Sequence, residues 1–383
     1  MSRIAYVSTY VPQKCGLATY TYHLRKSVHA GDPKRKDPVV ALHDAETDFG
    51  GDPLLWPIRR NDPDDYVKMA GKINRSDIGV VSLQHEFGIF GGEAGQFILH
   101  LVRNLKKPLV TTFHTVFENP KPPYADIQRE IAEKSARIVV MNRMAVSFLN
   151  RSFGIPTEKI CFIPHGTPEP DADKRQKYRK QLGWHDRKVV MTFGLLSRGK
   201  GIELILKALP EIARHVPNVL YAIVGQTHPE VKKHEGERYR EQLSGLIRDS
   251  GITGHAVMID KYMEEAELVK HIMACDLYAT PYPGMQQITS GTLAYAVGLG
   301  RPVLSTPYSY AQDLLSDYRE LLIPFEDDRA WAEQIVSLLR NDVLLRDWVK
   351  KIEKLGKSMH WPKVGMLHEE LFSEVSRLES VTG

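Results

Sequence analysis

The sequence predicts an α/β protein made of two doubly wound domains. Three observations carry this. The chain has 383 residues, and a single hydrophobic core stops growing at roughly 250–300 residues. Short apolar runs alternate with longer amphipathic segments, the rhythm of a parallel sheet covered by helices on both faces. The rhythm breaks once, at Pro164–Gln181, where Pro164, Gly166, Pro168 and Pro170 precede a charged run, and then restarts. That stretch reads as an interdomain linker, between a first domain at 1–170 and a second at 180–357.

In the first half the strand candidates are Ile4–Ser8, Val39–Leu42, Val80–Gln84, Pro108–Phe113 and Arg137–Met141. Helices are expected at Leu17–Ala30, Pro63–Asn74, Gly95–Leu105, Tyr124–Lys134 and Arg143–Phe153. In the second half the strands are Val189–Phe193, Val219–Val224, Val257–Ile259, Leu277–Thr280 and Pro302–Ser305. Helices there are Gly201–His215, Glu237–Ser250, Glu264–Ala274, Thr289–Leu299 and Ala330–Leu339, with a helical tail after Leu344.

Composition excludes several classes. A 42% hydrophobic and 26% charged content is that of a globular protein. A net charge of +4 is too small for a dedicated nucleic-acid binder; weak peripheral attraction to phosphates or an anionic membrane surface is the most it supports. No apolar run reaches the roughly 20 residues of a membrane span. The start, Met1–Gln13, reads as a buried strand and not as a signal peptide. Cys15, Cys161 and Cys275 are far apart, which points to a reducing, cytoplasmic setting and away from a disulfide framework or a metal site. No oligomeric state is defined.

Ligands of open α/β sheets bind beyond the carboxyl ends of the strands, so the residues there are the candidates. The first strand runs into Thr9–Leu17, with Cys15 and Gly16 before a helix; a plain strand–helix turn is the alternative. Val80–Gln84 runs into His85, Glu86 and a glycine-rich loop through Gly91 and Gly92. His85 and Glu86 suit sugar hydroxyls or proton transfer, against a satisfied histidine and a solvent carboxylate. Pro108–Phe113 ends in His114-Thr115, and His165 reads mainly as a linker-turn residue. In the second half Gly194–Gly201 carries Arg198 and Lys200 toward a helix N-terminus, sound chemistry for a diphosphate. Gln226 and Thr227 follow another strand. The loop Tyr282–Thr292 leads into a helix that Thr289 or Ser290 can cap, with N–H groups free for a phosphate.

Taken together, these segments resemble glycosyltransferase family 4, the retaining enzymes of GT-B fold, over nearly the whole chain. Pro12–Gly16 matches that family's N-terminal loop, Thr112-Phe113-His114-Thr115 its histidine-bearing strand end, Gly194–Gly201 its phosphate loop, and Gly300-Arg301-Pro302-Val303 the segment behind its donor helix. The resemblance implies GT-B architecture: two Rossmann-like domains facing a central cleft, with 358–383 packing back on the first. It implies catalytic roles for His114, Arg198, Lys200 and Gln287. The donor would meet Gly16, Gly194, Arg198, Lys200, Gln226, Thr227, Gln287, Thr289, Ser290, Gly291, Thr292 and Tyr295. The acceptor would meet Cys15, Gly16, His85, Glu86 and Gly91. The implied partners are a nucleotide sugar and a carbohydrate or lipid-linked acceptor, with no nucleic acid, no cofactor and no metal.

Two departures stand out. The family's pair of glutamates, eight positions apart, falls on Gln287 and Tyr295, and its loop arginine falls on Leu195, with Arg198 three residues on. Three functions follow. The first is transfer of a hexosyl unit of mannose or glucose type from a nucleotide diphosphate sugar. The second is a glycoside phosphorylase of the same fold using inorganic phosphate or a sugar 1-phosphate. The third is a binding protein that has lost catalysis.

Overall fold

A computed structural model describes residues 2–44 and 51–382, and the chain divides into two compact units. One comprises 1–166 and 361–383, the other 167–360.

The N-terminal unit runs β1 (Arg3–Ser8), α1 (Gly16–Val28), β2 (Val39–His43), β3 (Leu55–Arg59), α2 (Pro63–Arg75), β4 (Ile78–His85), α3 (Ile98–Asn104), β5 (Leu109–Phe113), α4 (Tyr124–Lys134), β6 (Arg137–Val140), α5 (Arg143–Phe153) and β7 (Ile160–Phe162). All seven strands are parallel, in the order β3-β2-β1-β4-β5-β6-β7. Ile4 to Ser8 are all buried because helices cover both faces. Helix α2 shows how its limits are written: Asp62 caps it, Pro63 opens it, Asp64 and Asp65 meet its positive end, and Lys72 and Arg75 its negative end.

The other unit runs α6 (Arg175–Gln181), β8 (Lys188–Phe193), α7 (Ile202–His215), β9 (Val219–Val224), α8 (Pro229–Glu235), α9 (Arg238–Asp249), β10 (Ala256–Ile259), α10 (Glu265–Ala274), β11 (Leu277–Thr280), α11 (Gly291–Gly298), β12 (Val303–Ser305), α12 (Ser309–Leu314), α13 (Asp328–Arg340) and α14 (Asp342–Gly356). Its parallel sheet has the order β10-β9-β8-β11-β12. The last helix, α15 (Trp361–Thr382), belongs to the N-terminal unit. It packs on α1, and its buried residues Trp361, Val364, His368, Leu371, Phe372 and Val375 are spaced to lie on one helical face.

The structure adds the short strand β7, absent from the predicted set, and departs from the sequence reading in three further places. The supposed linker is ordered and tied to the second unit. The amide of Thr167 donates to Met359 O, and Arg179 of α6, 6% exposed, donates to the carbonyls of Ala274 and Trp184 and pairs with Asp276. Its prolines and charges mimic a loop, whereas the arginine gains its partners only on folding. Strand β3 was hidden by Pro57; it lies at the sheet edge, where a missing N–H is tolerated. Helices α8 and α12 are too short for periodicity to reveal.

Two topological switch points follow. In the N-terminal sheet the winding reverses between β1 and β4, in the other between β8 and β11. A crevice outside the carboxyl ends of such a pair is where ligands bind in this fold class.

Candidate active site

At the N-terminal switch point the loop after β1 turns into α1. Cys15 caps that helix, its sulfur accepting from the Ala18 amide at 3.3 Å and lying 3.1 Å from Thr9 Oγ1. The thiol is thus engaged within the loop. Gly16 is exposed, and a Cβ there would meet nothing within 4 Å.

The end of β4 and the loop after it bury two of the candidate residues. His85 is fully buried in an aromatic box of Phe87, Phe90 and Phe113, and neither ring nitrogen has a hydrogen-bond partner. Burial lowers its pKa to about 3. It is a neutral residue of the core: the strand alternation turns it inward and the next residue outward. Gly91 is also buried; a Cβ there would lie 2.1 Å from Arg60 O, so this glycine serves backbone packing. Glu86 is the group left facing the loop. It accepts from the Thr115 hydroxyl and from the Phe87 amide at 3.1 Å, and burial raises its pKa.

His114 directly follows β5 and is 8% exposed. Its Nε2 lies 3.0 Å from Gln84 Oε1, and its ring meets Tyr20 edge-on at 4.9 Å. Burial first, then the neighbouring His165, His85 and His368, lowers its pKa to about 3. His114 is therefore a neutral imidazole, suited to hydrogen bonding with a hydroxyl and unsuited to neutralising a phosphate. His165 packs edge-on against Tyr20, and its Nδ1 lies 2.8 Å from Gly166 O.

At the other switch point the loop after β8 and the loop after β11 are pressed together. Gly201 adopts φ +59, and a Cβ on it would lie 2.0 Å from Pro281 O. Gly201→Ala combines left-handed strain with a backbone clash. It should cost this unit at least about 2 kcal/mol, read as a lower calorimetric transition. Gly16→Ala should leave stability unchanged; an unchanged Gly201→Ala transition would contradict the packing.

Lys200 is the focus of this edge. Its Nζ donates to Tyr282 Oη at 3.0 Å and lies 4.3 Å from that ring's centroid. Gly194 makes room: a Cβ there would sit 3.4 Å from Nζ. Tyr282 is stacked on Tyr308 with centroids 5.1 Å apart, and its hydroxyl continues to Thr292 Oγ1 at 2.9 Å. Thr292 reaches Ser290 Oγ at 3.3 Å, and Ser290 caps α11 by accepting from the Leu293 amide. Among the described residues Lys200 has no carboxylate partner. A half-buried ammonium, two hydroxyls and a helix start headed by Gly291 thus stand together with no internal anion.

Not all predicted residues join this group. Arg198 turns the other way, donating to Gln242 at 2.9 Å and Glu235 at 3.4 Å, with its guanidinium 5.2 Å from the centroid of Tyr239. Thr227, 4% exposed, gives its hydroxyl to Glu237. Gln226 ties the two loops by accepting the Leu196 amide on its carbonyl. Gln287 donates to Thr289 O at 3.0 Å. Tyr295, 8% exposed, donates its hydroxyl to Glu265 Oε1 at 2.7 Å.

Sequence reasoning missed Gln84 and Tyr282. Tyr282 lay inside a loop already singled out, but nothing in the order of residues places its hydroxyl on Lys200. Among the described residues no group of three or more His, Cys, Asp or Glu is arranged for a metal, and no helix is long and apolar enough to cross a membrane.

A family model described as glycosyl transferases group 1 matches residues 174–355, and one for glycosyltransferase family 4 matches 28–169. The chain is 30% identical over 157 residues to a GDP-mannose-dependent alpha-(1-6)-phosphatidylinositol monomannoside mannosyltransferase of Mycolicibacterium smegmatis, covering 40% of this chain and 38% of that one. It is 26% identical over 284 residues to the alpha-D-kanosaminyltransferase of Streptomyces kanamyceticus, covering 66% and 69%. A sucrose-phosphate synthase from Thermosynechococcus elongatus superposes with a TM-score of 0.79 at 17% identity, covering 98% of this chain and 99% of that one. Anabaena HepE, solved with UDP and glucose, gives 0.76 at 14%, covering 98% and 100%. These structural likenesses define the fold class: two doubly wound units of GT-B architecture, that of glycosyltransferases. Within that class the chain is similar to two glycosyltransferase family models, glycosyltransferase family 4 in its first half and glycosyl transferases group 1 in its second.

Proposed function

We propose that this protein transfers a hexosyl unit from a nucleotide diphosphate sugar to a hydroxyl of a glycan, polyol or lipid-linked acceptor, with retention of configuration. The observation that carries this is Lys200, an ammonium with no carboxylate partner among the described residues, grouped with the hydroxyls of Tyr282 and Thr292 at the start of α11. A diphosphate leaving group supplies the missing anion, and stabilising its departing charge is the main catalytic task. The N-terminal loops are assigned to the acceptor, with Gly16 allowing close approach and Glu86 accepting from a hydroxyl. His114 is assigned to a donor-sugar hydroxyl. Gln287 is assigned a contact with the donor sugar, and Thr289 and Gly291 approach its phosphates. Metal-independent transfer belongs to the same reading, because Lys200 and the helix start take the phosphate charge.

Relatives named for GDP-mannose, and one named for phosphatidylinositol monomannoside, make a mannosyl donor and a lipid-linked acceptor the first to test. A thermal-shift series with UDP, GDP and ADP in EDTA tests the reading. Saturation at 100 times the dissociation constant adds about 2.7 kcal/mol, so one of the three should raise the melting temperature by several degrees. No shift with any of them would contradict the proposal.

A further inference from the structure

We propose that the second unit carries a binding site for a small oxyanion, free phosphate or the phosphoryl end of a metabolite, built from Arg301 and Arg175 at the edge of the sheet opposite Lys200. The proposal does not rest on the nucleotide-sugar reading.

Lys200 follows β8, at the carboxyl ends of the strands, whereas Asp276 and Arg301 lie just before β11 and β12, at the amino ends. Strand pairing sets Tyr278 beside Val303, so Asp276 and Arg301 stand at matching positions at the start of their strands. Arg175 and Arg179 reach the same edge from α6. Asp276 is fully engaged there. Its Oδ1 accepts from Arg175 Nη2 at 2.8 Å, and its Oδ2 from Arg179 Nη1 at 3.1 Å and the Val189 amide at 2.7 Å. Arg179 completes its bonds on the carbonyls of Ala274, Trp184 and Arg187.

Arg301 has no such partners. Its side chain is 6% exposed, yet its one hydrogen bond among the described residues runs from Nε to Leu299 O at 3.4 Å. The carboxylate facing it, Glu353 of α14, stands 3.9 Å from Nη2, too far for a hydrogen bond, and is 40% exposed to water. Arg175 Nε is likewise buried without a partner. Burial first, and then the charge of Arg175, lowers the pKa of Arg301, so the two cations oppose each other across this edge. Three guanidiniums thus share one saturated carboxylate. A guanidinium stays ionised and presents five donors in a fixed fork, and leaving these unmet away from water is costly. A tetrahedral oxyanion offers both the charge and the acceptors that Arg301 and Arg175 lack.

The test is calorimetric titration of the full chain with inorganic phosphate, the ionic strength held with chloride, and with glycerol 3-phosphate in parallel. Wild type should bind phosphate with a Kd of about 1 mM or below. Lys200 can also take phosphate, so the titration is repeated in Lys200→Met, which should keep a phosphate site with affinity within about threefold, the two positions being independent. In that background Arg301→Gln should weaken binding about tenfold or more, the worth of a hydrogen bond to a charged group. Arg301→Lys, which keeps the charge and loses the fork, should fall between. Arg175→Gln, at a more exposed position, should also weaken binding and serves in place of Arg301→Gln if that variant does not fold. Tighter binding of glycerol 3-phosphate than of phosphate marks a phosphorylated metabolite as the ligand; equal or weaker binding marks free phosphate. If Lys200→Met binds no phosphate, or if the folded arginine variant keeps the Lys200→Met affinity, the proposal is overturned.

Discussion

Replacing Lys200 by methionine is expected to lower kcat about 100- to 1,000-fold, the usual cost of removing one group aimed at a developing charge in a water-poor site. The substitution keeps the unbranched stem that fills the space left by Gly194 and removes only the ammonium. The fold should therefore be untouched, and the melting temperature without ligand should stay within about one degree, as for a substitution that removes no core contact. The loss should fall on kcat and kcat/KM together, because the charge on the leaving phosphate grows in the transition state. Tyr282→Phe should give a smaller loss of the same kind, since Lys200 keeps the aromatic face and loses only the 3.0 Å contact to the hydroxyl. A Lys200→Met enzyme with kcat within threefold of wild type would remove Lys200 from the chemistry.

The second large effect concerns acid. Four histidines of the N-terminal unit are buried and held neutral: His85 and His114 titrate at about 3, His165 and His368 at about 4. In the unfolded chain each titrates near 6.5. Below that value the unfolded state takes up protons that the folded state refuses, so stability is complete above pH 6.5 and is lost as the pH falls toward the folded values. Each histidine contributes about 1.4 kcal/mol per pH unit, and four together on the order of 5. Glu86, whose pKa is raised, acts in the opposite sense, one group against four. Against a total stability of roughly 5–15 kcal/mol, the unit should unfold between about pH 4 and 5, followed by circular dichroism. His85→Phe suits the aromatic box, removes two orphaned nitrogens and should lower the acid midpoint while raising stability at pH 7. A unit still folded at pH 3.5, or an unchanged midpoint in His85→Phe, would contradict this.

What the sequence disclosed depended on how local the signal was. The alternation of β1, β2 and β4 through β6, and of β8 through β12, is written in apolar runs and in caps such as Asp62-Pro63, and the loop of Lys200 announces itself by its glycines. Side-chain direction is another matter. His85 and Glu86 are adjacent and equally polar in sequence, yet a strand turns one into an aromatic box and the other toward Thr115. Arg198 and Lys200 are two residues apart and both read as phosphate ligands, but the short turn between them sends one to α9 and the other to Tyr282. The bond between Tyr295 and Glu265 was invisible for a different reason: the two lie 30 residues apart, on helices separated by β11.

The central claim is that Lys200 and its hydroxyl partners take the diphosphate of an activated sugar. The measurement closest to it is hexosyl transfer from a panel of nucleotide sugars, GDP-mannose first, in EDTA, with nucleotide release and the extended acceptor followed together by mass spectrometry. One nucleotide sugar should yield product with its anomeric configuration retained, and Lys200→Met should abolish that product. No transfer from any nucleotide sugar, with release of a sugar 1-phosphate from an oligosaccharide and inorganic phosphate instead, would contradict the account.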